Sequence, residues 1–267
     1  MDRASAQALE LSAMLAMRGE FALASGWLGR ARRLLADRPI GFAHGLLAYV
    51  DLSQSVDEGR FDEAASAAEE LRRLGERLGV DTLRALGSLG MGVVEVRRGH
   101  LSEGFGNLDE AMLPVVAGTV APDWAGHIYC QITATCLEVA DLSRVREWSD
   151  AANRWLQGFP DAVMFNGVCR AHRAYLLSVE GDWRAAEAEA EKVARELREL
   201  NVAAVGEAEY LLGEVHRVCG DRCGHRPRGV GRCRRTAASR GRRPLPNPRI
   251  PRLGRPRGGA GAPCHRW

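Results

Sequence analysis

The sequence predicts an all-α protein made of consecutive helical hairpins. Three observations lead to this prediction: a turn-like tripeptide recurs at an almost constant interval, residues of similar size recur at fixed distances from it, and helix-breaking residues separate the units. The 267-residue chain is 46% hydrophobic and 27% charged, an ordinary balance for a protein that buries a sizeable core.

The recurring tripeptide begins with glycine in all but one of its copies. The copies are Gly19-Glu20-Phe21, Gly59-Arg60-Phe61, Gly99-His100-Leu101, Ala140-Asp141-Leu142, Gly181-Asp182-Trp183 and Gly220-Asp221-Arg222. They follow one another at intervals of 40, 40, 41, 41 and 39 residues. Glycine adopts the left-handed conformation that ends a helix, and an acidic residue suits the start of the next one. Each tripeptide is therefore predicted to join the two helices of a hairpin.

Side-chain size follows the same period. Large apolar residues stand two positions after the turn glycine, at Phe21, Phe61, Leu101, Leu142 and Trp183. Compact residues stand five positions after it, at Ala24, Ala64, Gly104, Val145 and Ala186, and a further column twelve after it holds Ala31, Leu71, Ala111, Ala152 and Val193. Seven positions before it stand Ser12, Leu52, Gly92, Thr133, Ala174 and Gly213. These columns predict helices that approach closely, with the large residue filling the space between them.

The predicted helices fall into pairs on either side of each turn. They span 4–18 and 21–36, 42–58 and 61–78, 82–98 and 101–117, 123–139 and 142–157, 162–180 and 183–200, and finally 203–219. Breaking residues lie between the pairs, at Pro39, Gly79, Pro122, Pro160 and Asn201. One hairpin cannot bury its own apolar face, so about five and a half hairpins are predicted to stack into an α-solenoid.

These repeats resemble the tetratricopeptide family over residues 1–220. The family's spacing appears here as Gly92–Gly99–Leu101–Gly104–Ala111 and as Ala174–Gly181–Trp183–Ala186–Val193. The units are longer than the family's standard of about 34 residues. Such extended units also resemble the helical-repeat region of LuxR-type transcriptional regulators of actinobacteria. The segments that carry this resemblance are Arg98-Gly99-His100-Leu101 and Glu180-Gly181-Asp182-Trp183. That resemblance implies a regulator whose DNA-binding part is a C-terminal helix-turn-helix, and we expect this chain to lack that part.

Charge divides the chain after the sixth turn. The predicted helical repeat domain, residues 1–220, has a net charge of −10, whereas the Arg/Pro/Gly-rich tail, residues 221–267, has 14 Arg, one acidic residue and a net charge of +13. The tail is predicted to be disordered, and it has two interpretations. It is either a genuine basic arm that contacts nucleic acid, or the translation of a shifted reading frame in GC-rich DNA. The absence of Lys and the abrupt change in composition favour the shifted frame, in which case the chain is truncated after about residue 221.

The unfinished sixth repeat has a predicted consequence. Its first helix would present an apolar face to a partner helix that does not follow in the sequence. The residues of that face are Ala204, Ala208, Leu211, Leu212, Val215 and Val218. We expect this end to fray and to mediate self-association.

No motif for catalysis or for a cofactor occurs in the sequence, so we expect a protein that is not an enzyme. There is no phosphate-binding G-x-x-x-x-G-K-[ST] loop, no G-x-S-x-G and no H-E-x-x-H. Cys219, Cys223, His225 and Cys233 offer only half of a structural zinc pattern, and we predict no metal site. Cys130, Cys136 and Cys169 are predicted to be small buried apolar residues.

The predicted binding surface is the concave groove lined by the first helices of the hairpins. His44, Arg84 and Asn166 share the column fifteen residues before the turn and would face this groove, although a solvated face also explains such a column. Without an apolar run near ~20 residues or a secretion signal, we expect a cytoplasmic protein. The predicted function is a scaffold that binds a protein partner or a small effector in the groove, as the repeat region of a LuxR-type regulator. The alternative is an adaptor that binds nucleic acid through its tail, with an affinity that falls steeply with salt.

Overall fold

The computed structural model describes residues 3–159, 163–199 and 205–223. All regular structure in these ranges is helical, which confirms the predicted all-α class. The helices are α1 Arg3–Met17, α2 Phe21–Leu35, α3 Phe42–Asp57, α4 Phe61–Leu78, α5 Asp81–Arg98, α6 Leu101–Val116, α7 Pro122–Glu138, α8 Leu142–Leu156, α9 Val163–Glu180, α10 Trp183–Glu199 and α11 Val205–Cys223. The predicted bounds of the first ten helices agree with these within one residue at each end.

The helices contact one another in a regular order. Each helix packs against the next one along the chain, and each odd-numbered helix also packs against the next odd-numbered helix. Within the described ranges, no two even-numbered helices pack together in this way. The odd-numbered helices therefore form a continuous layer, and the even-numbered helices stand apart from one another.

The five described turns share one geometry. The turn residue has a positive φ in each of them: 76° at Gly19, 76° at Gly59, 92° at Gly99, 59° at Ala140 and 86° at Gly181. In every case the N–H that follows the turn residue donates to a carbonyl of the preceding helix, as from Glu20 to Leu15 at 2.9 Å and from His100 to Glu95 at 2.9 Å. This pattern satisfies carbonyls that a helix end leaves without partners, and it confirms the predicted role of the turn glycines.

Ala140 gives a direct test of the turn geometry. Among the described residues it alone has a positive φ without being glycine, and its side chain is exposed. The left-handed conformation costs a residue with a Cβ roughly 1–2 kcal/mol. We expect Ala140→Gly to raise the free energy of unfolding by up to about 1 kcal/mol, because glycine removes that cost but gains more entropy in the unfolded chain. Urea unfolding followed by circular dichroism measures the difference, and a loss of stability would contradict the assigned backbone conformation.

The compact columns lie at the closest contacts between helices. All described members of the columns five and twelve residues after the turn are buried, and Ala64, Ala111 and Val193 are fully so. In the α5–α6 hairpin, a Cβ added to Gly104 would lie 2.8 Å from the backbone nitrogen of Val96 and 3.0 Å from the carbonyl oxygen of Gly92. The columns thus permit contact between backbones, as the sequence predicted.

The column of large residues behaves differently from its prediction. Phe21 and Leu101 are 42% and 43% exposed, so they do not fill the space between the two helices of their hairpins. Both begin the second helix of a hairpin, directly after the turn. Phe61, Leu142 and Trp183 are half-buried at the equivalent place.

The sixth repeat also departs from its prediction. α11 continues to Cys223, so Gly220 and Asp221 lie inside a helix and not at a turn. The other five turns precede an apolar residue that starts the next helix, whereas Arg222 follows here. Continued helical hydrogen bonding therefore carries the chain past Gly220 at the place where the other repeats reverse direction.

The apolar face of α11 is mostly covered. Ala208, Leu211 and Val215 are 0%, 6% and 0% exposed because they pack against α9 and α10, so the prediction that they face a missing helix was wrong. Leu212 and Val218 are half-buried. Ala204 and residues 224–267 lie outside the described residues, and self-association through this end stays a prediction.

Candidate functional site

The predicted groove column has local contacts that give two of its members structural roles. The ring Nδ1 of His44 accepts a hydrogen bond from the backbone N–H of Gly41 at 3.2 Å, and its Nε2 lies 3.2 Å from the carbonyl oxygen of Leu35. His44 therefore caps the start of α3. Arg84 is exposed and pairs with Asp81 on its own helix.

Asn166, the third member, belongs to α9, but its side chain is outside the part that the structure describes. The groove column stays a prediction.

An aromatic cluster joins α3 to α7, the helices on either side of α5. The hydroxyl of Tyr49 and Nε2 of His127 form a hydrogen bond of 2.7 Å between residues 78 apart in the chain. Their rings and that of Trp124 meet edge to face, with centroids 5.5–6.0 Å apart. Burial raises the pKa of the Tyr49 hydroxyl above its usual range, so the phenol stays protonated. Edge-to-face contacts of this kind stabilise packing, and the cluster ties the odd-numbered layer together.

Two histidines on the first helices are kept neutral by burial. Desolvation lowers the pKa of His127 to about 4 and that of His172 to about 4. The Nδ1 atom of His172 is buried with no hydrogen-bond partner in the structure as described. Both rings are therefore uncharged at neutral pH and act as half-buried packing groups.

A buried carboxylate lies at the turn between α5 and α6. Glu95 is 8% exposed, and its Oε1 accepts from Arg98 at 2.8 Å while its Oε2 lies 2.6 Å from Nδ1 of His100. The hydrogen bond with His100 is the main reason why the pKa of Glu95 is lowered. Arg98 also pairs with Asp62 of the preceding hairpin. One signal for this cluster was present in the sequence: a carboxylate at position 95 stands in a column that holds Leu15, Ser55, Cys136 and Leu177 in other repeats.

The same cluster contains the described residues whose spacing fits a metal ion. Ligand atoms of Glu95, His100 and Glu103 all lie within 4.8 Å of one another. The guanidinium of Arg98 already occupies one oxygen of Glu95, however, and would repel a cation. We therefore assign the cluster to an ion-pair network that fixes the α5–α6 turn. The zinc pattern weighed from sequence, Cys219, Cys223, His225 and Cys233, lies outside the described side chains.

A groove of about 820 Å³ separates α6 from α8. Its walls are Asp109, Met112, Leu113, Val116, Ala117, Asp141, Ser143, Arg144, Glu147 and Trp148. Leu113 and Val116 are each 69% exposed, although they are large apolar side chains. Met112 is fully buried and Trp148 half-buried, so the floor is apolar too. The groove is thus an apolar surface open to solvent.

The rim of this groove is acidic. Arg144 donates to both oxygens of Asp109, at 2.7 and 3.0 Å, and lies 3.4 Å from Asp141. Its guanidinium also stacks 4.4 Å above the ring of Phe105. Glu147 adds a third, exposed carboxylate, so three acidic groups surround one basic group for a net charge of −2. The groove therefore suits a ligand that is apolar along its centre and basic at its edges.

Sequence reasoning missed this groove, yet it left a trace in the pattern of α6. The buried residues of α6 are Gly104, Leu108, Ala111, Met112 and Val115, which share one helix face. Leu113 and Val116 lie off that face, where polar residues are the norm. Two large apolar residues on the polar side of a helix were the available signal.

Comparisons with protein-family models, curated proteins and solved structures found no match for this chain. Within the described ranges, no helix combines the length and the apolar character that crossing a membrane requires. The features of the chain that bear on its function are therefore the all-α architecture and the groove between α6 and α8.

Proposed function

We propose that the chain is a protein-interaction scaffold built as a tetratricopeptide-like α-solenoid. The single observation that carries the function is the apolar groove between α6 and α8, where Leu113 and Val116 are exposed. The stacked contacts of the odd-numbered helices and the repeated turn geometry support the solenoid. The proposal involves no catalytic step and no cofactor.

The proposed role class follows the resemblance of the repeats to those of LuxR-type regulators. Two sequence segments support this role, because each joins two helices through a glycine in the left-handed conformation. They are Arg98-Gly99-His100-Leu101 and Glu180-Gly181-Asp182-Trp183. On this proposal, the chain is the repeat region of such a regulator, and the groove between α6 and α8 binds a signalling partner. The sequence favoured a small effector in the concave groove equally, and that alternative stays a prediction.

The proposed occupant is a basic amphipathic helix of a partner protein. Helices dock in grooves through apolar residues at positions i, i+3, i+4 and i+7. The side chains of Leu113, Val116 and Trp148 offer apolar contacts for such a stripe, and the carboxylates of Asp109 and Glu147 lie where flanking Lys or Arg would reach. The docking surface is therefore proposed on the even-numbered helices.

The proposal is tested with a synthetic peptide of about four helical turns, with Leu at the docking positions and Lys elsewhere. Fluorescence anisotropy measures its binding to the full chain, and a matched peptide with Glu in place of Lys should bind weakly. Leu113→Glu should weaken binding of the basic peptide about 10- to 100-fold, the loss expected for one buried leucine.

The sign of this change separates docking from general charge attraction. Leu113→Glu adds a negative charge, so unspecific attraction of a basic peptide would increase. The control is Leu23→Glu, which places the same charge on α2 at a leucine that is 56% exposed. Equal affinities for the two variants, or tighter binding to Leu113→Glu, would contradict docking in the groove.

A further inference from the structure

Two buried cysteines from neighbouring hairpins meet in the odd-numbered layer. Cys130 lies on α7 and Cys169 on α9, and their Sγ atoms are 2.9 Å apart. They are 9% and 8% exposed. A disulfide bond holds its sulfur atoms at about 2.0 Å, so closing one here requires a shift of only about 0.9 Å. The two thiols are therefore already placed for a bond between them.

The sulfur–sulfur contact distinguishes this pair from Cys136, the third described cysteine. The sequence analysis treated Cys130, Cys136 and Cys169 as small apolar residues, and all three are buried as expected. In the column of Cys130, other repeats carry Leu9, Tyr49 and Leu89, which pack without any sulfur. Cys136 is a buried cysteine that has a packing role only. It is fully buried on α7, it contacts no other thiol among the described residues, and burial raises its pKa to about 12.

We propose that Cys130 and Cys169 are a modification site at which a hydroperoxide forms an intramolecular disulfide. One thiolate attacks hydrogen peroxide, giving a sulfenic acid and releasing hydroxide, which takes up the thiol proton to become water. The second thiol then attacks the sulfenic sulfur, the disulfide forms, and a second water leaves. Two thiols are oxidised by two electrons, and one peroxide is reduced to two waters.

The disulfide would join the first helices of two successive hairpins. α7 and α9 contact each other directly, and the two cysteines are 39 residues apart, about one repeat. A covalent link at this place fixes the spacing of the hairpins on either side of it. Because a cross-link lowers the entropy of the unfolded chain, the oxidised protein should unfold at a higher temperature than the reduced protein.

The test uses the full-length chain, folded and treated with hydrogen peroxide. Remaining thiols are then blocked in denaturant with N-ethylmaleimide, and the protein is digested with trypsin without reductant. We expect mass spectrometry to find residues 99–144 linked to residues 155–170, with a loss of two hydrogens, and dithiothreitol to separate them. Fragmentation of this linked pair should place the bond at Cys130 and Cys169 without any variant.

Matched substitutions distinguish the pair from chance oxidation. Cys130→Ser should abolish the link, whereas Cys136→Ser, on the same helix, should leave it intact. A link through Cys136, a link of either peptide to the cysteines of the tail, or no link in the folded wild-type protein would each overturn the proposal.

Discussion

Replacing Gly87 with alanine is expected to lower the free energy of unfolding by about 1–3 kcal/mol, the usual cost of overpacking a well-packed site. A Cβ at this position of α5 would lie 2.7 Å from the backbone nitrogen of Arg72 and 2.8 Å from the carbonyl oxygen of Ala68. These are backbone atoms of α4, which cannot move aside as a flexible side chain can. The alanine therefore has to push α4 and α5 apart. Urea unfolding followed by circular dichroism, which reports the helix content, measures this loss of stability.

The matched control is the same substitution at Gly106. This glycine also lies inside a helix, on the exposed side of α6, and an added Cβ there meets nothing within 4 Å. Alanine should stabilise this helix by roughly 0.5–1 kcal/mol, because glycine is the poorer helix former. Opposite signs for the two substitutions would establish the close α4–α5 contact. Stabilisation by Gly87→Ala would contradict it.

The second large effect expected is loss of stability in mild acid. The pKa of both His127 and His172 is about 4 in the folded protein, against 6.5 for an ordinary histidine. Between pH 4 and pH 6.5, the unfolded chain therefore binds more protons than the folded protein does. The stability that the two neutral histidines contribute is complete above pH 6.5 and is lost as the pH falls towards 4. At pH 5 we expect a loss of about 1–2 kcal/mol for each half-buried ring, relative to pH 7.

The measurement is the difference in unfolding free energy between pH 7 and pH 5, a range above the ordinary pKa of carboxyl groups. His127→Gln and His172→Gln should each reduce this difference, even where the substitution also lowers stability at both values. If the double variant His127→Gln/His172→Gln loses as much stability between pH 7 and pH 5 as the wild-type protein does, then burial does not hold these two rings neutral.

The fold was predictable because its determinants are local. A glycine such as Gly99 ends a helix through its own backbone preference, and the next helix begins within two residues, so the helix bounds follow from short stretches of sequence. Ala140 was placed correctly only because the period required a turn there. The prediction failed at Gly220, where the local signal is present but α11 continues to Cys223.

The candidate site was much less predictable, since its parts meet through packing between repeats. Arg144 and Asp109 are 35 residues apart, and their contact depends on the distance at which α6 and α8 come to rest. The meeting of Cys130 with Cys169 has the same origin, because these residues stand ten and twelve positions before their own turns and so occupy different columns. A column of like residues therefore does not reveal which side chains touch across a repeat boundary.

We expect partners to dock between α6 and α8 and not on the odd-numbered helices. Hydrogen exchange measured by mass spectrometry, with and without the basic Leu/Lys peptide, tests it most directly. We predict slower exchange in residues 101–116 and 142–156 when the peptide is bound, and no change in α3 or α9. Slower exchange confined to α3, α5, α7 and α9 would place the peptide on the odd-numbered layer and contradict docking between α6 and α8.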